Sequence, residues 1–176
     1  MRGPATGTGA LPSGSRRCIM MVYRDQLPTP LGTLTLEATD QGLSSVRFPS
    51  RAGLHKTWSR DHSILVQAKQ ELAAYFAGDL KQFSVQLDWQ GTVFQQLVWQ
   101  ALTHIPYGET VSYADIARAI GRPRSARPTG GAVGANPLPI IVPCHRVIGS
   151  DRTLTGFTGG LNIKVALLEL EGRSVE

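Results

Sequence analysis

Cysteine is scarce in this chain, and that scarcity excludes much. Only Cys18 and Cys144 occur in 176 residues. Two cysteines cannot build a disulfide framework, and neither belongs to a C-x-x-C pair. His55, His62 and His104 are scattered along the chain, so no Cys/His cluster has zinc spacing and no metal site is expected. No cofactor motif is present. No apolar run approaches the roughly 20 residues that cross a bilayer, so no membrane association is expected. Residues 1–17, "MRGPATGTGALPSGSRR", lack the apolar core of a secretory signal. A reducing compartment follows: the cytoplasm, or the nucleus in a eukaryote.

Acids are missing where bases gather. The net charge is +5 and the isoelectric point about 9.6, a weak pointer to a polyanionic partner. From Ile116 to Ser150 there are five arginines (Arg118, Arg122, Arg124, Arg127 and Arg146) and no acid at all. A solvated basic face accounts for such a run unless other features give it a purpose.

The chain divides into three parts. Residues 1–19 are rich in Gly, Pro, Ser and Thr and read as a disordered leader, with Met20 or Met21 as an alternative start. Residues 20–89 read as a small α+β unit. In it, "LGTLTLEATDQGLSSVRF" gives two short strands about a turn at Asp40-Gln41-Gly42. "SILVQAKQELAAYFAG" gives a helix with Ile64, Ala68, Leu72 and Phe76 on one face and Gly78 at its end. "FSVQLDW" (83–89) is a further strand candidate. Nothing in this unit suggests chemistry.

Residues 90–176 have a different, mainly helical character. Thr92 and Gln95 form a capping box that opens a helix with Phe94, Leu97, Val98, Ala101 and Leu102 on one face. Ser112 and Asp115 open a second helix, stopped by Gly121. A short basic turn then leads to "SARPTGGAVGAN", a short helix with little side-chain bulk. Together these sketch a helix-turn-helix. The glycines of the last helix cost roughly 1 kcal/mol each in propensity. Either another helix packs closely there, or the backbone must lie against a partner.

Ile140, Ile141 and Val142, bounded by Pro139 and Pro143, read as a buried strand with Cys144 at its end. A lone cysteine is most often a small buried hydrophobe. Beside His145 and Arg146 it acquires what a thiol nucleophile needs, a base and positive charge. Strand geometry puts neighbours on opposite faces, so His145 reaches Cys144 only through a bend or a bridging water. A third group orienting His145 cannot be found from spacing.

Pro143-Cys144-His145-Arg146-Val147, with Asn136-Pro137 before it and Gly159-Gly160 after it, resembles the O6-alkylguanine-DNA alkyltransferases, the methylated-DNA–protein-cysteine methyltransferases. The likeness runs from about Gly91 to Gly172, and more weakly over "TPLGTLTL" and "AYFAGDL". It implies a small ribonuclease H-like N-terminal domain and a helical C-terminal domain that binds DNA and accepts the alkyl group, in a protein acting as a monomer. By resemblance, Cys144 takes the alkyl group of O6-alkylguanine, with O4-alkylthymine as a second candidate substrate, once per molecule and irreversibly. His145 is the base acting through water, Glu171 orients it, Asn136 braces the active-site turns, and the Tyr113 hydroxyl approaches guanine N3. The Val147 carbonyl reads the exocyclic amine. Pro139 and the 156–160 loop, with Phe157 and Thr158, wall the pocket. Arg127 fills the stack vacated by the flipped base, and Ala126 and Gly131 lie with it on the helix that enters the minor groove of double-stranded DNA.

The chain departs from the family pattern in three places. Pro128-Thr129 replaces the usual Ala-Val after Arg127, and proline disfavours helical geometry at the residue before it. Phe157 stands where tyrosine is common, and Val165 where a charge is common. Three other readings compete: a non-catalytic lesion sensor of the alkyltransferase-like type, which lacks the cysteine; a Cys-His hydrolase, whose oxyanion hole is not in evidence; and a transcription regulator. Neither of the last two explains PCHRV and Glu171 together.

Overall fold

The computed structural model describes residues 21–49 and 62–174. The leader, Cys18 and His55 lie outside them. Three strands, β1 (Tyr23–Thr29), β2 (Gly32–Ala38) and β3 (Leu43–Arg47), form an antiparallel sheet in that order. The turn after Ala38 closes through Thr39 N–H to the Gly42 carbonyl, 2.9 Å. β1 is an edge strand with no clear alternation to announce it, and an edge position tolerates Pro28. Leu34, Leu36 and Ala38 of β2 are fully buried. On the alternate positions, Glu37 is held by Arg24 (2.7 Å) and Arg47 (3.2 Å).

Helix α1 (Ser63–Phe76) packs on this sheet and ends at Gly78, whose φ of +83° only glycine adopts easily. Its buried stripe is Leu65, Ala68, Leu72 and Tyr75, rather than the expected 64/68/72/76 series. A strict four-residue step drifts off one face of a 3.6-residue helix, whereas alternating steps of three and four stay on it. Residues 83–89 do not form the expected strand. They touch the sheet at a single bridge between Leu87 and Leu43. The Ser84 and Val85 N–H groups donate instead to Glu71 Oε2, at 2.9 and 3.1 Å.

The helical part follows. Helix α2 (Val93–Leu102) starts with the Thr92/Gln95 capping box. It buries Val98, Trp99 and Leu102, while Leu97 faces outward at 38% exposure. The face is rotated because the Trp99 indole N–H donates to the Ala132 carbonyl, 2.8 Å. A two-residue strand β4 (Val111–Ser112) leads into α3 (Tyr113–Ala119), capped by the Ser112/Asp115 box and followed by Gly121 at φ +72°. After the Arg122–Arg124 turn comes α4 (Ala126–Gly134). β4 pairs in parallel with β5 (Val147–Ile148), and α5 (Leu161–Leu170) closes the chain. The two parts share a core and a backbone bond from Val46 N–H to the Pro137 carbonyl, 2.9 Å.

Thr129 is fully buried on α4, and its hydroxyl has no hydrogen-bond partner among the described residues. Replacing it by the isosteric valine removes a desolvated hydroxyl without making a hole. Thr129→Val is expected to raise unfolding free energy by about 1 kcal/mol, read as a higher urea midpoint at unchanged slope.

Candidate active site

The segment around Cys144 is a turn, not the expected strand. Buried Ile140 has φ +76°, a conformation that costs a β-branched residue of order 1–3 kcal/mol. Val142 N–H closes the turn onto the Leu138 carbonyl, 2.8 Å. Asn136 holds the strained backbone on both sides. Its Nδ2–H donates to the Val142 carbonyl (2.8 Å), and its Oδ1 accepts from Leu138 N–H (3.0 Å). Both prolines sit where their missing N–H groups are not needed. Pro143 then starts a short 3-10 turn, Cys144–Arg146, which places three consecutive side chains in the interior.

Arg146 shows why that turn is stable. It belongs to the core rather than to the basic face that its place in the arginine run suggested. Its Nε and Nη2 donate to Glu171 Oε2 (2.9 Å) and Oε1 (2.8 Å), its Nη1 to the Ile105 carbonyl (2.6 Å), and its guanidinium lies 5.7 Å from the Tyr107 ring centre. Glu171 caps α5 and receives two further donors besides His145: Tyr75 Oη–H at 2.8 Å and Gly108 N–H at 3.0 Å. Burial pushes the Glu171 carboxyl up, but the hydrogen bonds from His145 and Arg146 outweigh it and hold the group well below the ordinary carboxylate range. It is therefore ionised and can only accept.

The tautomer of His145 follows from that. Its Nε2 lies 2.8 Å from Glu171 Oε1, so Nε2 carries the hydrogen and Nδ1 the lone pair. Nδ1 is buried and has no partner among the described residues. Burial lowers the His145 pKa, against the pull of Glu171. The imidazole is thus neutral at rest, with its basic nitrogen uncommitted.

Cys144 is 2% exposed, deeper than a cysteine at a cleft edge. Burial pushes its thiol up to about 11, against the Asn136 amide, the Lys164 charge and nearby backbone groups, which favour the thiolate. Fully buried Lys164 donates to the Val147 carbonyl (2.6 Å) and the Thr155 carbonyl (3.0 Å). Burial lowers its pKa to about 8, opposed by its attraction to Cys144.

An open cleft of about 670 Å³ is lined by Tyr113, Ala126, Arg127, Gly130, Phe157 and Thr158 among others. The loop over it is tied down twice: Thr155 Oγ1–H to the Tyr113 hydroxyl (3.0 Å) and Thr158 Oγ1–H to the Gly134 carbonyl (2.9 Å). Buried Pro139 lines an adjoining cleft with Asn136 and Thr158. Arg127 is exposed at the second position of α4, helical despite Pro128 at the third, with Ser125 before the helix making no side-chain cap. The first turn needs no donor from Pro128. A Cβ at Gly131 or Gly134 would meet nothing within 4 Å among the described residues, so packing among those residues does not explain the two glycines.

Two family descriptions match: "6-O-methylguanine DNA methyltransferase, ribonuclease-like domain" over residues 22–89, and its "DNA binding domain" over residues 93–173. The chain belongs to the 6-O-methylguanine DNA methyltransferase family. It is 49% identical to the methylated-DNA–protein-cysteine methyltransferase of Mycobacterium tuberculosis, over 86% of this chain and 93% of that one. The enzyme of that name from Methanosarcina acetivorans is 46% identical, over 86% and 99%. A crystal structure of the M. tuberculosis protein OGT in complex with DNA superposes with a TM-score of 0.78 at 49% identity, covering 85% of this chain and 92% of that one. The α+β architecture read from the sequence is that of the family.

Within this family member, sequence reasoning passed over Lys164, Tyr75 and Thr155 and misplaced Arg146. Lys164 had a signal, a lysine at a core position of an apolar helix. Tyr75 had none, since a tyrosine in a buried helical stripe is ordinary core.

Glu171→Gln leaves Arg146 buried without its counter-charge. The expected loss of stability is about 3 kcal/mol or more, measured by urea unfolding at pH 7. The wild-type contribution is complete above the ordinary carboxylate pKa of 4.5 and is lost progressively as pH falls from there to the much lower folded value. The difference between the two proteins should therefore hold at neutral pH, begin to narrow below about pH 4.5 and close only in strong acid.

Proposed function

We propose that this protein repairs alkylated DNA by moving the O6-alkyl group of guanine onto the Cys144 sulfur. The observation that carries the reading is the buried array of Cys144, neutral His145 with a free Nδ1, and ionised Glu171. The Cys144 proton passes through a water to His145 Nδ1, and Glu171 stabilises the imidazolium that forms. The sulfur attacks the alkyl carbon, an S–C bond forms, and the C–O6 bond breaks with its electron pair going to the base. Tyr113 Oη–H, with Thr155 donating to its oxygen, supplies the hydrogen bond that neutralises guanine N3. A thioether has no easy route back, so each molecule acts once and the reaction is stoichiometric.

The target atom is stacked inside a duplex, so the nucleotide must leave it, at a cost of a few kcal/mol. Arg127 occupies the space left behind. The bare backbone at Gly131 and Gly134 lets α4 lie in the minor groove, with exposed Arg122 and Arg124 near phosphates; binding is largely independent of sequence and weakens with salt. The Val147 carbonyl, which keeps a lone pair beyond its bond to Lys164, reads the exocyclic amine, while Pro139, Phe157 and Thr158 wall the base. The protein works as a monomer in the cytoplasm, with residues 20–89 as one domain and 90–176 as the domain bearing the site.

Intact-protein mass after mixing with duplex DNA carrying one O6-methylguanine tests this directly. A gain of one methylene mass on Cys144, stopping at one equivalent and absent in Cys144→Ala, is expected. Lesion binding without a mass gain would instead make the protein a damage sensor. Arg127→Ala is expected to slow transfer from duplex DNA by about tenfold and to change transfer from a free O6-alkylguanine base little, because only the duplex reaction needs extrusion.

A further inference from the structure

The α+β part, which carries no recognisable chemistry in sequence, reaches into the relay through one side chain. We propose that Tyr75, on α1, is a positioning residue for the alkyl transfer: its hydroxyl holds Glu171 in place and sets how strongly that carboxylate pulls on His145. The inference rests on the Cys144–His145–Glu171 relay described above.

The geometry is specific. Tyr75 is fully buried, and its Oη–H donates to Glu171 Oε1 at 2.8 Å. That is the same oxygen that accepts from His145 Nε2 and from Arg146 Nη2, each at 2.8 Å. Oε2 is taken by Arg146 Nε and Gly108 N–H. Three donors therefore share Oε1, and only His145 takes part in proton transfer. The other two draw off carboxylate charge and weaken the pull on the imidazole. Arg146 cannot be spared, since it neutralises the buried charge. The phenol is the neutral member, and it acts from a different part of the chain.

The tyrosine ring is held independently of its hydroxyl. Phe76, Phe83 and Tyr107 lie with ring centres 5.5, 5.5 and 6.1 Å away. Removing the oxygen thus leaves the ring seated. Burial, with the adjacent carboxylate, pushes the phenol far above its ordinary pKa, so it stays a donor at every working pH. Among the described residues, the groups that face His145 and Glu171 are Tyr75 from α1, Tyr107 and the Gly108 N–H from the loop after α2, Cys144 and Arg146 from the 3-10 turn, and Lys164 from α5. None of them other than Tyr75 is a neutral side-chain donor to the carboxylate.

The sign of the effect follows. Without the Tyr75 hydroxyl, Glu171 concentrates more charge on its bond to His145, the imidazolium is favoured, and a higher pH is needed to keep His145 as a base. The carboxylate also loses one of its restraints. The experiment is the single-turnover rate of methyl transfer from O6-methylguanine duplex against pH, for wild type, Tyr75→Phe and Ala68→Gly. Ala68 lies on the same buried stripe, two turns earlier, and bonds to nothing in the relay. Tyr75→Phe is expected to move the midpoint of the rate rise upward by roughly half a pH unit and to lower the rate at neutral pH. Ala68→Gly is expected to lower Tm and leave the midpoint unmoved.

Tyr75→Phe that loses Tm but keeps the wild-type midpoint overturns the proposal and makes the tyrosine purely structural. If Tyr75→Phe does not fold, 3-fluorotyrosine placed at position 75 answers the same question. It has the same shape, is a stronger donor, and must move the midpoint downward; an unmoved midpoint overturns the proposal. Absence of methyl transfer by wild type itself would fail the parent reading, which keeps the two failures apart.

Discussion

Glu171 is a buried charge, and most of the site exists to satisfy it. Removing a carboxylate from water costs several kcal/mol unless its oxygens are fully hydrogen-bonded. Here donors come from His145, Arg146, Tyr75 and the Gly108 backbone. Each belongs to a different stretch of the chain or a different role, so the carboxylate acts as the point where they are registered against one another. The same demand fixes the chemistry. An ionised acceptor dictates which imidazole nitrogen carries hydrogen, and the other is left basic.

The polar interior also separates two uses of positive charge. Arg146 and Lys164 lie in the middle of the molecule, one balancing Glu171 and the other tying the Val147 and Thr155 carbonyls. Arg118 pairs with Asp115 on the surface. Arg122, Arg124 and Arg127 remain exposed along the turn and the first part of α4, the helix that also carries Gly131 and Gly134, where an added Cβ would meet no described residue within 4 Å. The exposed basic surface is therefore narrower than the arginine count suggested, and through Arg127 it adjoins the cleft lined by Tyr113 and Phe157.

The α+β part serves as more than a companion. Phe48, just after β3, is buried against Phe157, 5.8 Å between ring centres, and a Cβ at Gly159 would come within 2.8 Å of its ring. The cleft wall thus leans on the sheet, while Val46 bonds to the Pro137 backbone just before the strained turn at Ile140. The strain of that turn is tolerable because Asn136 and the neighbouring sheet over-determine it.

Local features were readable without the structure. Both capping boxes, the helix stops at Gly78 and Gly121, the β2–β3 hairpin and the short α4 stand where the residues put them, since each is settled within a few neighbours. The PCHRV motif, with Asn136-Pro137 before it and Gly159-Gly160 after it, carried the family. Other features depended on partners far along the chain. A run of Ile-Ile-Val between prolines looks like a strand, and became a turn because Asn136 takes its carbonyl. Phe83–Trp89 looks like a strand, and gave its first N–H groups to Glu71. Arg146 lies 25 residues from Glu171 and Tyr75 lies 96 residues away; no periodicity couples such positions. Sequence alone determined which helices form and where the family motif around Cys144 lies, because capping and motif identity are local. Which arginine turns inward and which tyrosine reaches the relay were decided only in the tertiary structure, because a buried carboxylate takes its donors from whatever the packing brings within about 3 Å.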